Sequence, residues 1–152
     1  RRNNEIQKLS LYKKGGVVEG VDVKLLVKPV LEADIFKTID ALASRDKKQA
    51  LRLIHKHIAN GESPAYLLSM INYQFRNLLI IKDFIERAVP YMSIEKKSGL
   101  HPFVVRKTFN QCQYFTFSEL KKIYSKIFQV DLDVKTGKID SEAGLQEVIL
   151  FY

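Results

Sequence analysis

The sequence predicts an all-α fold, a bundle of about six helices over residues 33–152 behind a small N-terminal piece, residues 1–32. Three observations support this prediction. Apolar residues recur every three or four positions along most of the chain, which is the period of a helix face. Glycine and proline, which interrupt helices, number only seven and four. Asp, Ser, Thr or Pro stands where most periodic segments begin, as at capped helix starts.

The N-terminal piece has helical signals of its own. Residues 1–12 favour a helix, and Gly15 ends it because glycine accepts the positive φ of a helix end. Residues 17–27 are ambiguous and could form a strand plus a short helix. We favour a short helix over residues 22–27, and Pro29 ends that unit. We therefore place a domain boundary within residues 28–33.

The first two helices of the bundle are expected to have regular apolar faces. Residues 34–44 form the first helix. Asp46 is predicted to cap the second, because its carboxylate can accept hydrogen bonds from free backbone N–H groups. That helix should end at Asn60-Gly61. The apolar face of the first helix consists of Ile35, Phe36, Ile39 and Leu42.

A long central helix is expected next. Ser63 followed by Pro64 is typical of an N-cap and a first helical residue, and the helix that begins there should reach about Val89. Its apolar residues cover more than one face, so we expect other helices to pack on several of its sides. A short helix, Ser93–Ser98, should follow and end at Gly99.

Three further helices should complete the bundle. His101-Pro102 begins one that runs to about Tyr114. Thr116 and Glu119 form a capping box in front of a helix that reaches about Val134. Asp140 or Ser141 caps the last helix, through about Leu150, with its apolar residues turned inward. The helix behind the capping box carries the apolar residues Leu120, Ile123, Tyr124, Ile127 and Phe128. On the last helix, the residues expected to face inward are Leu145, Val148 and Ile149.

The charge of the chain limits the kinds of partner. Lys and Arg number 25 against 17 Asp and Glu, a net charge of +8, which favours polyanions or acidic protein surfaces as partners.

No apolar run approaches the roughly 18–20 residues of a membrane span, so we expect no membrane partner. One cysteine and the lack of a leader pattern predict a cytoplasmic protein. Because the chain opens on Arg1 and not on Met, we expect a piece of a longer protein.

Few residues could carry catalysis or bind a metal. His55 and His57 lie two apart on a predicted helix, so they point to different sides and are expected on the solvated surface. Cys112 is expected to be a buried structural thiol. Asp131 and Asp133 are expected to be surface charges at a helix end.

A phosphate-binding loop is excluded at Thr136–Lys138. Leu132 occupies the position of its first glycine, and Ile139 replaces its hydroxyl residue. The sequence therefore predicts no catalytic residue, no cofactor and no metal site.

The segment Ser93–Lys107 has the outline of a helix-turn-helix. A short helix, a turn containing Gly99 and a second helix with Arg106 and Lys107 follow one another, and DNA readers of this shape place the second helix in the major groove. Bundle packing is the stronger reading, because the second helix has no cluster of base-reading side chains near its start. A stand-alone helix-turn-helix module that binds nucleic acid remains the alternative function.

Seven short motifs follow one another along residues 34–150: Ile35–Leu42, Asp46–Leu51, Gly61–Pro64, Gln74–Leu79, Gly99–Lys107, Phe117–Leu120 and Asp133–Asp140. In their order and spacing they resemble the C-terminal part of the bacterial DNA polymerase III delta subunit family, the clamp-loader wrench. The N-terminal piece looks like the tail of that family's lid domain.

The resemblance implies a collar domain that assembles with the gamma/tau and delta-prime subunits of the clamp loader and hydrolyses no ATP. The family's first domain, which would lie upstream, opens the sliding clamp. A polymerase label would then belong to the DNA polymerase III holoenzyme and not to these residues. The apolar end of the last helix is the predicted contact for partner subunits: Ile149, Leu150, Phe151 and Tyr152.

The family also works at primer–template DNA, which directs attention to basic residues in predicted loops and helix starts. Basic side chains beside an exposed aromatic ring can hold phosphates and stack a base. The candidate DNA-facing residues are Phe103, Arg106, Lys107, Lys135 and Lys138.

Overall fold

The computed structural model describes residues 34–152 of the chain, of which residues 36–152 form one compact unit. The predicted N-terminal piece, residues 1–32, and the predicted domain boundary lie outside the described residues. Within the described part every regular element is a helix, and none of these helices is long and apolar enough to cross a membrane. The all-α prediction is confirmed.

The described residues contain seven α-helices, and each corresponds to one of the helices predicted individually, although the bundle was summarised as about six. A single 3-10 turn, Cys112–Tyr114, lies between the fifth and the sixth helix. The helices are α1 (residues 34–43), α2 (Lys47–Ala59), α3 (Pro64–Glu86), α4 (Tyr91–Ser98), α5 (Pro102–Gln111), α6 (Phe117–Lys135) and α7 (Ser141–Phe151).

The predicted N-caps are present. The side chain of Asp46 accepts a hydrogen bond from a backbone N–H three residues later at 2.9 Å, and Ser63 does the same at 3.1 Å. Thr116 and Glu119 make both hydrogen bonds of the capping box. Asp140 caps α7 by accepting from two backbone N–H groups. Local sequence therefore determines where these four helices begin.

Helix ends agree less closely with the predictions. The central helix α3 ends at Glu86 and does not reach Val89, because Ala88 adopts the left-handed conformation with φ +54°. α4 begins at Tyr91, two residues earlier than predicted. The last predicted turn after Gln111 is a 3-10 turn, a common way for an α-helix to tighten at its end.

α3 is the central helix, as predicted. It packs against α4, α5, α6 and α7, and its Phe75 ring meets the Phe115 ring edge-on with centroids 6.2 Å apart. Burial of side chains on several faces of one helix explains why its apolar residues show no single stripe. The apolar side chains that α3 buries are Leu67, Leu68, Ile71, Phe75, Leu78 and Ile81.

A buried polar network joins α1, α3 and α5. The side-chain amide of Gln74 donates to Thr108 Oγ1 at 3.1 Å and to Gln111 Oε1 at 2.9 Å. Gln111 Nε2 in turn donates to the carbonyl of Phe36 at 3.1 Å and to Asp40 Oδ1 at 2.7 Å. Because buried polar groups need such partners, the network specifies how these three helices fit together.

α7 packs tightly against α6 at Gly144. A Cβ atom at this position would lie 2.8 Å from Val134 Cγ2 and 3.0 Å from Val130 Cγ1. Both neighbours are β-branched side chains with restricted rotamers, so they cannot easily move aside. Gly144 lies inside a helix, so no unusual backbone conformation explains the glycine. The tight packing against α6 is what requires it.

Both histidines were predicted to lie on the solvated surface. The prediction is wrong for His57, which is 5% exposed, and correct for His55, which is exposed. α2 turns by about 200° between these two positions, so only one of them can face solvent. His57 lies on the same face as the buried Ala50 and Ile54.

One prediction on α6 also needs correction, and one of its apolar residues faces solvent. Phe128 is 57% exposed, because it follows the fully buried Ile127 and is rotated by about 100° from it. Asp131, expected at the surface, is 9% exposed and accepts from Lys135 Nζ at 2.5 Å. Burial of a carboxylate is tolerated there because the lysine compensates its charge.

Candidate functional site

The end of α7 presents apolar side chains to solvent. Leu150 is 57% exposed, Phe151 is 51% exposed and Tyr152 is half-buried. Ile149 is fully buried and faces the core, so it is unavailable to a partner of this folded chain. The predicted contact residues therefore reduce to Leu150, Phe151 and Tyr152, which we call the C-terminal surface.

Side chains from distant parts of the sequence hold the C-terminal surface in place. Lys47 Nζ, at the start of α2, donates to the Leu150 carbonyl at 2.8 Å. Lys126, on α6, pairs with Glu147 and lies 5.8 Å from the centroid of the Phe151 ring. These contacts anchor the last turn of α7 against two neighbouring helices, so its apolar residues have a defined orientation.

Phe151 lines two shallow hollows. The first is mainly apolar and is lined by α6 and α7, and the second is lined by α6, the end of α7 and Arg45. The C-terminal surface therefore borders both hollows. The lining residues are Lys126, Ala143, Gln146, Glu147 and Leu150 for the first hollow, and Arg45, Glu119, Lys122, Ile123 and Tyr152 for the second.

Tyr152 connects this surface to the core. Its ring meets the buried Phe115 ring edge-on with centroids 5.9 Å apart. Burial, with a smaller contribution from the Glu119 carboxylate, raises the pKa of the Tyr152 phenol to about 12. The phenol is neutral near pH 7, so this side chain adds no charge to the C-terminal surface.

The start of α5 carries the first group of predicted DNA-facing residues. Phe103 is half-buried and packs edge-on against Phe36, with ring centroids 5.9 Å apart. The Arg106 guanidinium carbon lies 5.9 Å from the centroid of the Phe103 ring. Arg106 and Lys107 are exposed and have no ion pair in the described part of the chain. Arg106 and Lys107 are therefore available to bind phosphates, whereas Phe103, packed against Phe36, is less suited to stacking on a base.

The turn after α6 carries the second group. Lys135 pairs with Asp131 at 2.5 Å, and Lys138 pairs with Asp133 at 3.0 Å. Hydrogen bonds from Gln129 and then Lys138 lower the pKa of Asp133, so this carboxylate is ionised near pH 7. The positive charge of this turn is therefore largely compensated within the chain itself.

The structure does not bring the two basic groups together. Lys107 lines a small polar hollow with Tyr114, which lies just before α6, whereas Lys135 is the last residue of α6. α6 has 19 residues and is therefore about 28 Å long. A single small ligand could not contact both groups, although an extended polyanion could.

Cys112 is a buried thiol, as predicted. It is 1% exposed and lies 3.6 Å from the Leu78 carbonyl. Burial raises its pKa to about 12, so almost no reactive thiolate forms near neutral pH. The described residues also contain no cluster of three His, Cys, Asp or Glu side chains that could hold a metal ion.

Sequence reasoning missed the side chains that fix the C-terminal surface. Lys47 and Lys126 gave no local signal, because each contacts α7 only after the bundle has formed. The buried network around Gln111 was missed for the same reason. Only the apolar end of α7 was visible in the sequence itself.

Comparison with known proteins supports one family. The family described as the DNA polymerase III delta subunit, C-terminal domain, matches residues 32–152. DNA polymerase III subunit delta of Bacillus subtilis (strain 168) is 31% identical over 129 residues, which cover 85% of this chain and 37% of that protein.

A solved structure agrees with the sequence match. The Bacillus subtilis DNA clamp loader delta protein superposes with a TM-score of 0.78 at 31% identity, over 97% of this chain and 44% of that one. The chain thus spans less than half the length of both relatives. Together these matches show that the chain belongs to the DNA polymerase III delta subunit family and contains its all-α C-terminal domain.

Proposed function

We propose that this chain is the non-catalytic C-terminal part of a clamp-loader delta subunit, which assembles with the gamma/tau and delta-prime subunits to load the sliding clamp in DNA replication. The observation that carries the proposal is the C-terminal surface, where Leu150 and Phe151 are each more than half exposed. The clamp itself would be contacted by the N-terminal domain that the family carries upstream. The complex would act in the bacterial cytoplasm.

The chemistry of the C-terminal surface suits a protein partner. Adjacent exposed Leu and Phe side chains lose unfavourable contact with water when another protein covers them. Lys126 and Glu147 border the apolar residues, as polar groups do at the rim of many interfaces. The contacts of Lys47 and Lys126 hold the last turn in one orientation, which reduces the entropy lost on binding.

Assembly should depend on this surface. We expect Leu150→Asp with Phe151→Asp, in a full-length delta subunit, to weaken assembly with gamma/tau and delta-prime at least about tenfold, because both charges would be buried in the interface. Gel filtration with light scattering on the reconstituted subunits measures the complex. Met92→Asp is the matched control, since Met92 is 67% exposed on α4.

The control variant should assemble like the unchanged subunit. Circular dichroism of both proteins should show unchanged helix content, because all three replaced side chains are largely exposed. Full assembly by the double variant would rule out the C-terminal surface as the partner contact.

We also propose that the exposed cations at the start of α5 contact primer–template DNA in the assembled loader. The supporting observation is that Arg106 and Lys107 make no ion pair in the described residues, in contrast to Lys135 and Lys138. Phosphate contacts of this kind add affinity without sequence preference and weaken with salt.

Charge removal at the two basic groups should therefore have unequal effects. We expect Arg106→Ala with Lys107→Ala to weaken junction binding by the reconstituted loader at low salt, and Lys135→Ala with Lys138→Ala to weaken it less. Fluorescence anisotropy of a labelled primer–template duplex measures both. Equal affinities for the unchanged loader and the Arg106/Lys107 variant would contradict a DNA contact at α5.

The alternative, a helix-turn-helix module acting alone, has less support. α4, Gly99 and α5 do form a helix-turn-helix outline, but α5 buries Val104, Val105 and Thr108 in the bundle. Its role there is to pack against α3 and α4. Sequence-selective duplex binding by the isolated chain at physiological salt would favour this alternative.

A further inference from the structure

α6 carries a second apolar surface. Phe128 is 57% exposed and Leu132, one helical turn later, is 43% exposed. Phe117 and Tyr124, both partly exposed, continue the same face toward the start of the helix. The intervals between these residues are those of one helix face, and Lys121 lies on it as well. We call Phe117, Lys121, Tyr124, Phe128 and Leu132 the α6 stripe.

The α6 stripe is separate from the C-terminal surface. Lys126 marks the side of α6 that meets α7, because it pairs with Glu147 and lies beside Phe151. Phe128 follows two residues later, which turns it by about 200° from Lys126. The stripe therefore faces away from α7, and one flat partner surface could not cover both sites.

The stripe has positive charge at one end. Lys121 Nζ lies 4.8 Å from the centroid of the Phe117 ring and forms no ion pair within the described residues. Toward the other end Phe128 and Leu132 provide apolar surface. The acidic side chains of α6 already have basic partners, in the pairs Glu119–Arg45, Asp131–Lys135 and Asp133–Lys138.

From this pattern we infer that the α6 stripe docks an acidic amphipathic helix of a partner protein. Two apolar side chains one turn apart on such a helix would cover Phe128 and Leu132, and a carboxylate about two turns away would reach Lys121, which lies seven residues before Phe128. A second copy of this chain fits poorly, because it would bring the same lysine and a net charge of +8 to the contact. The inference does not depend on the proposed role of the C-terminal surface.

A designed peptide tests the stripe directly. The probe is a fluorescent amphipathic helical peptide that has two leucines one turn apart and two glutamates about two turns from the leucines, opposite Lys121. We expect Phe128→Ser with Leu132→Ser in the 152-residue chain to weaken peptide binding at least about tenfold. Tyr73→Ser with Met92→Ser, which also removes two exposed apolar side chains, should leave the affinity unchanged.

Charge exchange distinguishes a direct contact from a structural effect. Lys121→Glu should weaken binding of the glutamate peptide and strengthen binding of a peptide with lysines in those positions. The glutamate peptide should also bind the reconstituted clamp loader as tightly as the free chain, because the stripe faces away from the C-terminal surface. A merely structural role of Lys121 would not reverse the charge preference.

Several results would overturn the inference. They are an equal loss of binding in the control variant, no reversal with the lysine peptide, displacement of the peptide by a thymidine oligonucleotide, or a dimer that the Phe128/Leu132 variant abolishes. Loss of assembly with gamma/tau or delta-prime in that variant would assign the stripe to the loader interface instead. Failure of the proposed function is separate, since it would appear as full assembly of the Leu150/Phe151 variant.

Discussion

Replacement of Phe75 by alanine should lower the free energy of unfolding by about 3–5 kcal/mol. Phe75 is fully buried on the central helix, and its ring meets the Phe115 ring edge-on at 6.2 Å. The change removes the apolar area of the ring and leaves a cavity beside a helix that packs against four others. Neighbouring helices cannot collapse into that cavity without losing contacts elsewhere.

Urea unfolding followed by circular dichroism measures this loss. Tyr73→Ala is the matched control, because Tyr73 lies two residues away on the same helix and is 41% exposed. The control should lower the free energy of unfolding by much less than Phe75→Ala does, since Tyr73 is already 41% exposed in the folded chain. Similar losses in the two variants would contradict the placement of Phe75 at the centre of the bundle.

Replacement of Gly144 by valine should cost about 1–3 kcal/mol of stability through overpacking. Its Cβ would lie 2.8 Å from Val134 Cγ2 and 3.0 Å from Val130 Cγ1. The sign of the stability change is informative. Valine is a better helix former than glycine, so it would stabilise α7 if the space around residue 144 were free. Only the close approach of α6 and α7 makes the change unfavourable.

A second substitution tests the cause of that loss. Val134→Ala removes the nearest methyl group, so it should restore part of the stability lost in Gly144→Val, as measured in a double-mutant cycle. Ala143→Val is the matched control, because Ala143 precedes Gly144 on α7 but is exposed. A stabilising effect of Gly144→Val, or no interaction with Val134→Ala, would contradict the packing argument.

Local chemistry explains which parts of the fold were predictable. Asp46, Ser63, Thr116 and Asp140 act through backbone N–H groups within a few residues, so the sequence shows them directly. The end of α3 was less predictable, because an alanine at φ +54° gives no compositional signal of a helix end.

The candidate site was predicted only in part. The apolar end of α7 was recognisable in the sequence. Ile149, however, was predicted both to face the core and to contact a partner. In the structure it is buried, so only the first of these predictions holds. Phe128 shows the opposite case. Its position beside Ile127 suited a wide apolar face, yet the core of the bundle accommodates only one of these neighbours.

By itself the sequence determined the all-α class, the helix starts, the central helix and the resemblance to the delta subunit family, because these depend on residues near one another along the chain. The tertiary structure alone decided how buried polar side chains link α1 to α5, which side chains anchor the end of α7 and which face of α6 remains open. Those features arise from contacts such as Lys47 with Leu150 and Gln111 with Asp40, which join residues far apart in sequence. No local pattern encodes such pairs, since they form only when helix packing brings them within hydrogen-bonding distance.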